Sequence, residues 1–286
     1  MVDRERYPAG VPCWVDTAQP DPDAAMAFYG GVFGWEFADL LPPDAPGRYI
    51  AARLGGLDVA AIGWDSEGDG RSAQWSTYVA VDRLATTAVR VLEAGGDVVV
   101  PATEVGPAGR MAVFADSSAA VFIGWEAGTR IGADVVNAPG TWNWSGLETR
   151  DPAGAVEFYR TVFGWEPLGG LDAAGGALWV LPGYSDALER LDPGMRERHA
   201  TAGVPPGFSD AVAWLRGLSP ATDPAAVPSR WGVVFAVSDV DDTVARVTSL
   251  GGEVQVAPFD AGPTRQAVVA DPAGASFTVN SYTPAS

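Results

Sequence analysis

Apolar residues along this chain keep two rhythms, and the alternation between them predicts the elements. Ala25, Phe28, Tyr29, Val32 and Phe33 fall at helical spacing behind Asp21-Pro22. That pattern predicts a helix capped by the aspartate, with proline in its first turn and Gly34 as its stop. The short apolar stretch 12–17 before it reads as a strand. Further on, 79–81 leads to Asp82, expected as a second cap, and Leu84, Ala88, Val91 and Leu92 share one helical face before Gly95-Gly96. Strand-like runs follow at 97–100, 111–115 and 121–125. The grammar is strand, helix, several strands, and it occurs four times. It predicts an α+β class with antiparallel-rich sheets packed on helices.

The chain also repeats itself. Residues 14–36 and 144–166 align without a gap at a shift of 130, sharing the leading Trp, the Asp-Pro, the Phe-Tyr and the ending Val-Phe-Gly-Trp-Glu. A second unit, 75–122, pairs with 231–277 and shares an early Gly-Gly, a late Arg (Arg110, Arg265) and a late Asp (Asp116, Asp271). The order is A-B-A′-B′, which sets a first domain at 10–127, a linker at 128–140 and a second domain at 141–283. Between Trp165 and Trp231 lie about 26 more residues than between Trp35 and Trp75. An inserted helical lid is expected at 178–222, with an amphipathic stretch at 185–199 and a short helix at 208–215 capped by Ser209.

In this register the motifs resemble the vicinal oxygen chelate superfamily, which includes glyoxalase I, bleomycin-resistance proteins and extradiol dioxygenases; the two-domain actinobacterial glyoxalase-like or hydroxylase-like branch looks most similar. The resemblance covers nearly the whole chain and implies four βαβββ modules forming two cupped mixed β-sheets. It also implies where metal-dependent members place their ligands. Those positions here are Trp14, Ser76 and Ile123 in the first half and Trp144, Gly232 and Thr278 in the second. None is a good ligand for a divalent cation. No metal and no cofactor are therefore expected.

Period-two alternation from these positions gives an expected pocket lining. It comprises Trp14, Asp16, Ser76, Tyr78, Ile123 and Trp125 in one cup, and Trp144, Glu148, Val234, Thr278 and Asn280 in the other, with Trp179 and Tyr184 from the insertion. Asp16, Tyr78, Glu148 and His199 are the candidates for acid–base chemistry. Trp35, Trp165, Trp75, Trp231 and Cys13 read as core.

Composition narrows the classes. One Cys and one His in 286 residues exclude an intrachain disulfide and any site needing several imidazoles or thiolates. With 36 acidic against 18 basic residues, the formal charge of −18 opposes nucleic acid. No apolar run is long enough to span a bilayer and the start has no secretory h-region, so a cytoplasmic protein, monomer or homodimer, is expected. Two functions remain open at this point. One is a metal-independent binding protein that sequesters an aromatic or cationic metabolite or antibiotic; the other is a cofactor-free lyase, isomerase or hydroxylase-like enzyme of secondary metabolism.

Overall fold

The computed structural model describes residues 6–65, 73–201, 204–219 and 227–282. The first half runs β1 (Pro12–Ala18), α1 (Pro22–Phe33), β2 (Glu36–Asp39), β3 (Gly47–Leu54), β4 (Leu57–Asp65), β5 (Gln74–Ala80), α2 (Leu84–Glu93), β6 (Asp97–Val105), β7 (Gly109–Ala115) and β8 (Val121–Ala127). The second runs β9 (Trp142–Thr149), α3 (Pro152–Phe163), β10 (Glu166–Pro167), β11 (Ala177–Val180), α4 (Tyr184–Leu191), α5 (Met195–Thr201), β12 (Ala211–Gly217), β13 (Arg230–Ala236), α6 (Val240–Ser249), β14 (Glu253–Ala261), β15 (Thr264–Ala270) and β16 (Ser276–Tyr282). The strands order as β2-β3-β4-β1-β5-β8-β7-β6 and β10-β11-β12-β9-β13-β16-β15-β14, two mixed eight-stranded sheets. This is the α+β duplication that the repeat announces.

Helix ends follow the sequence signals, with one exception. The Asp21 carboxylate accepts from the backbone N–H of Asp23 and Ala24, and Asp151 accepts from Gly154. Both helices stop at a glycine in the left-handed region, Gly34 at φ 72° and Gly164 at φ 77°. Asp239 caps α6 through Asp242 N. Asp82, expected to do the same for α2, does not, and the residue at the cap, Arg83, makes no side-chain bond there. Glu126, on β8, takes over by accepting from Leu84 N at 2.8 Å. A carboxylate from a neighbouring strand satisfies an exposed helix-end donor as well as a local one does.

Contacts group the described chain into two compact units, and each takes one module from each half. One comprises 77–132 and 145–231 with the N-terminal segment to Cys13; the other comprises 14–76, 133–144 and 232–286. The repeat motifs explain this grouping, because they bond across the halves. In the second unit Trp75 Nε1–H donates to Tyr29 Oη at 3.1 Å, and Tyr29 donates to Asp271 at 2.8 Å. In the first unit Trp231 Nε1–H donates to Tyr159 Oη at 2.8 Å, and Tyr159 donates to Asp116 at 3.0 Å. Both tyrosines are fully buried. Burial and the adjacent aspartate push each phenol well above its ordinary value, so it remains a neutral donor. The late Asp of the repeat is thus a core acceptor. Asp116 also takes Ser118 N and Ala120 N, and Asp271 takes Gln19 Nε2, Ala273 N and Ala275 N.

The paired glycines have a packing cause. Gly95 and Gly251 sit at φ 83° and 86°, and a Cβ on Gly252 would lie 2.6 Å from Ala270 O. Aromatic rings fill both cores: Tyr29 stacks on Trp35 at 5.7 Å between centroids, and Tyr159 stacks on Trp165 at 5.3 Å. Cys13, Trp35, Trp75, Trp165 and Trp231 are buried, as the alternation required.

The insertion differs from expectation. No helix spans 208–215: Phe208–Asp210 is a single 3-10 turn, and Ala211–Gly217 is β12, paired in parallel with β9. Its sequence, Ala-Val-Ala-Trp-Leu-Arg-Gly, puts its most polar and bulkiest groups at alternate positions, a strand pattern that outweighs the capping signal of Ser209. The helical part is the excursion between β11 and β12, holding α4 and α5. It is tied internally: Asp210 accepts from Ser185 N at 2.6 Å, Glu189 accepts from Gly194 N and Arg196 N, and Arg196 reaches Ser185 and Asp186. Residues 202–203 and 220–222, within the expected lid, lie outside the described residues.

Candidate functional site

β1 carries its functional side chains at alternate positions. Trp14 and Asp16 share one face of the strand, while Cys13, Val15 and Thr17 enter the packed interior on the other. β4 runs parallel beside β1 with Asp16 opposite Ala61 and Ala18 opposite Gly63. β3 pairs antiparallel with β4 and sets Tyr49 opposite Gly63. The Tyr49 ring crosses Gly63, 3.7 Å from where a Cβ would stand. It links the two β1 side chains: Trp14 Nε1–H donates to Tyr49 Oη at 2.9 Å, and Tyr49 O–H donates to Asp16 Oδ2 at 3.1 Å. Asp16 is only 8% exposed. The result is a hydrogen-bonded chain of two aromatic side chains ending on a buried carboxylate, all within one unit.

The homologous corner of the second half carries other groups. β12 lies parallel to β9 with Trp214 opposite Gly146 and Arg216 opposite Glu148. The Trp214 indole occupies the space above Gly146, where any Cβ would collide with it. Glu148 is buried and ion-paired with Arg216 and, at 2.8 Å, with Arg230. Arg216 lies over the Trp214 ring, 5.8 Å from its centroid. Burial lowers both guanidinium pKa values from their ordinary range, and Arg230 adds like-charge repulsion on Arg216.

The remaining expected site residues divide between the units. Ser76, Trp144, Val234, Thr278 and Asn280 belong with Trp14 and Asp16; Val234 stands opposite Thr278 and Ala236 opposite Asn280 in the β13–β16 register. Trp144, Ser76 and Thr278 are half-buried, and Val234 and Asn280 are buried. Tyr78, Ile123 and Trp125 belong to the other unit. Tyr78 stands opposite Ile123 in register and meets Trp125 edge-on at 6.3 Å, while the Trp125 indole N–H donates to Arg130 O.

Two candidates sit where the pocket reading did not put them. Trp179 is completely buried against Tyr159, Trp165 and Trp231, so it is a core ring and not a pocket wall. Glu148 does not present a carboxylate to solvent, because two guanidiniums occupy it. Tyr184 begins α4 and is half-buried. His199, on α5, shares a 2.8 Å hydrogen bond through Nδ1 with Ser209 Oγ. Arg110 pairs with Glu104 and Glu126, and Arg265 with Asp241 and Asp260, so both late arginines are structural. Sequence reasoning missed Tyr49, Trp214, Arg216 and Arg230. The alternation in β12 could have found two of them, and Arg230 is the immediate neighbour of the repeat landmark Trp231.

Residues 14–121 and 143–279 both match the sequence profile of the Glyoxalase/Bleomycin resistance protein/Dioxygenase superfamily. The chain belongs to that superfamily. Among similar proteins is CFP32 of Mycobacterium bovis, which bears a provisional glyoxylase name; it is 36% identical over 98% of this chain and 97% of its own. The anthracycline biosynthesis proteins DauV, from Streptomyces sp. strain C5, and DnrV, from Streptomyces peucetius, are 34% and 33% identical over 96% of this chain and 94% of theirs. Among solved structures, the Mn(II)-bound glyoxalase from Novosphingobium aromaticivorans aligns with a TM-score of 0.60 at 16% identity, over 96% of this chain and 82% of that one. The 2,3-dioxygenase LapB from Pseudomonas sp. KL28 aligns with 0.59 at 14%, over 96% and 93%. These structural likenesses establish a shared fold.

A superfamily that includes Mn(II)-bound members invites a test of the donor set. The first-strand position is Trp14, whose only heteroatom is an N–H donor already directed at Tyr49. An indole N–H has no lone pair for a cation. Ile123 is apolar, and a lone Ser76 hydroxyl is a poor ligand. Among the described residues no three His, Cys, Asp or Glu side chains gather to hold a metal ion, and no helix is long and apolar enough to cross a membrane. Trp14, Ser76 and Ile123, at the positions that the resemblance implies for ligands, do not fit a divalent cation.

Proposed function

We propose that this superfamily member binds an aromatic, cationic metabolite without a metal, holding it at Trp14, Tyr49 and Asp16. The observation that carries this reading is the hydrogen-bonded chain Trp14–Tyr49–Asp16, with Trp14 where the resemblance implies a metal ligand. A flat ring gains contact from the Trp14 and Tyr49 rings, and an ammonium group gains from the Asp16 charge at low local dielectric. The chain's −18 charge draws such a cation in. The anthracycline biosynthesis relatives support the same ligand class, since an anthracycline joins a flat polycycle to an amino sugar. Sequestration of such a compound is the role this binding best serves.

The Tyr49–Asp16 pair favours a second reading, metal-free acid–base turnover of the bound compound, because it places a carboxylate one hydrogen bond from a phenol. One titration separates the two. An anthracycline amine should quench tryptophan fluorescence with Kd of about 1 μM or tighter, and Asp16→Asn and Trp14→Ala should each weaken it about tenfold. Unchanged ligand mass after prolonged incubation supports sequestration. Conversion that Asp16→Asn abolishes, with binding retained, supports turnover. No quenching and no conversion would dismiss both.

A further inference from the structure

We propose that Glu148, Arg216, Arg230 and Trp214 form a second binding site, which takes a carboxylate or similar oxyanion carried on a flat ring. The proposal is independent of the aromatic-cation reading, because it concerns other residues on β9, β12 and the start of β13.

The cluster's charges do not balance. One carboxylate neutralises one guanidinium, and here two guanidiniums meet one carboxylate. The cluster therefore keeps one positive charge, in a chain whose overall charge is −18. Among the described residues, neither Arg216 nor Arg230 has another acidic partner within ion-pair distance. A ligand anion would supply the missing counter-charge.

A guanidinium offers five N–H donors in a planar fork. The Glu148 side chain is 8% exposed and anchors each fork from below, while the Arg216 and Arg230 side chains are 59% and 47% exposed. About half of each arginine side chain is thus open to solvent above the buried carboxylate. Arg230 approaches Glu148 Oε2 within 2.8 Å, yet that oxygen accepts no aligned hydrogen bond. The pairing is one of charge more than of directed bonds, which leaves the fork free to align on a ligand.

The Trp214 ring lies over Gly146, and the Arg216 guanidinium carbon lies over that ring, 5.8 Å from its centroid. A planar ring bearing a carboxylate can join that stack while its oxygens meet the guanidiniums. A spherical anion gains only the charge. The first-half corner cannot do this, because Ala61, Gly63 and Ala18 stand where Trp214, Arg216 and Glu148 stand.

The test uses the full chain titrated with benzoate, inorganic phosphate and benzylamine, followed by calorimetry and by the indole N–H signals in NMR. Benzoate should bind with millimolar or tighter affinity, perturb the Trp214 signal, and exceed phosphate at least threefold; benzylamine should not touch this site. Arg230→Ala should weaken benzoate at least tenfold. Glu148→Gln, which removes the competing carboxylate and keeps both arginines, should tighten it at least threefold. That second variant keeps the proposal falsifiable should Arg230→Ala fail to fold. Failure of benzoate to bind, or weaker binding in Glu148→Gln, would make the cluster a structural ion pair and overturn the proposal. Equal binding of phosphate would overturn the assignment of a flat ring.

Discussion

The two halves of this chain share a strand order and, the insertion of α4 and α5 apart, differ in chemistry at one corner, where β1 lies beside β4 and β9 beside β12. In the first half the facing pairs are Asp16 with Ala61 and Ala18 with Gly63; in the second they are Gly146 with Trp214 and Glu148 with Arg216. At the first pair a carboxylate beside a methyl group has become a glycine beside an indole. At the second, two small residues have become an ion pair. The first exchange moves bulk from one strand to its neighbour and the second adds a charge to each, both without changing register. Duplication has thus left two corners of opposite character on one scaffold. One ends in a buried carboxylate suited to a cation, and the other in two guanidiniums around one acid.

The largest effect should come from the exchange that is purely steric. Gly146→Val introduces a side chain where the Trp214 ring already lies, and overpacking of this kind costs about 1–3 kcal/mol, more where backbone must move. At the homologous Asp16 the facing residue is the small Ala61, and Asp16→Val gives up the Tyr49 hydrogen bond without such a collision, so it should be milder. Thermal unfolding of the two variants measures the difference. Equal midpoints would mean that the corners are not sterically distinct.

Next in size is the pair of Trp–Tyr–Asp locks, which the halves share. Tyr159→Phe leaves both Trp231 Nε1 and one Asp116 oxygen without this partner, a loss of about 1–3 kcal/mol. Tyr29→Phe should cost less, because Gln19 also donates to Asp271. Both phenols titrate above their ordinary value of 10 when folded. Below pH 10 neither the folded nor the unfolded chain ionises them, and their contribution is complete. Above it the unfolded chain releases protons that the folded chain retains, so stability falls as pH rises. Denaturant midpoints measured from pH 8 to 11 should decline from about pH 10, and less steeply in the double Phe variant.

Tyr49→Phe sharpens the comparison at the binding level. It removes the link between Trp14 and Asp16, and should weaken an anthracycline amine about tenfold, or 1.4 kcal/mol, with little effect on benzoate. The smallest effect belongs to His199→Ala. Its ring bonds Ser209 within the insertion, so ligand affinity should stay within about twofold of the parent chain by fluorescence titration.

Much of this was legible in the sequence because it is local or periodic. Asp-Pro starts, glycine stops and the gapless repeat fix elements by short-range physics, and the aromatic motifs Phe-Tyr and Trp mark core positions whatever the fold packs against them. What escaped was pairwise. Asp82 looks like a cap, but Glu126 from another strand holds the helix end. Ser209 looks like a helix start, but the residues after it alternate as a strand beside β9. Trp179 reads as a pocket ring until Tyr159, Trp165 and Trp231 are seen to enclose it. Asp16 and Glu148 were both visible as inward carboxylates, yet nothing on β1 or β9 shows that one meets a tyrosine and the other two arginines. That depends on which residues of β3, β4 and β12 arrive opposite them, and register is a property of the folded sheet.

Binding at the first corner should not depend on a metal. Protein stripped with a chelator, and the same protein supplied with Mn(II), should bind an anthracycline amine with the same affinity, and Trp14→Ala should lose about tenfold in both. Affinity that appears only with Mn(II), or that survives Trp14→Ala unchanged, would contradict the account.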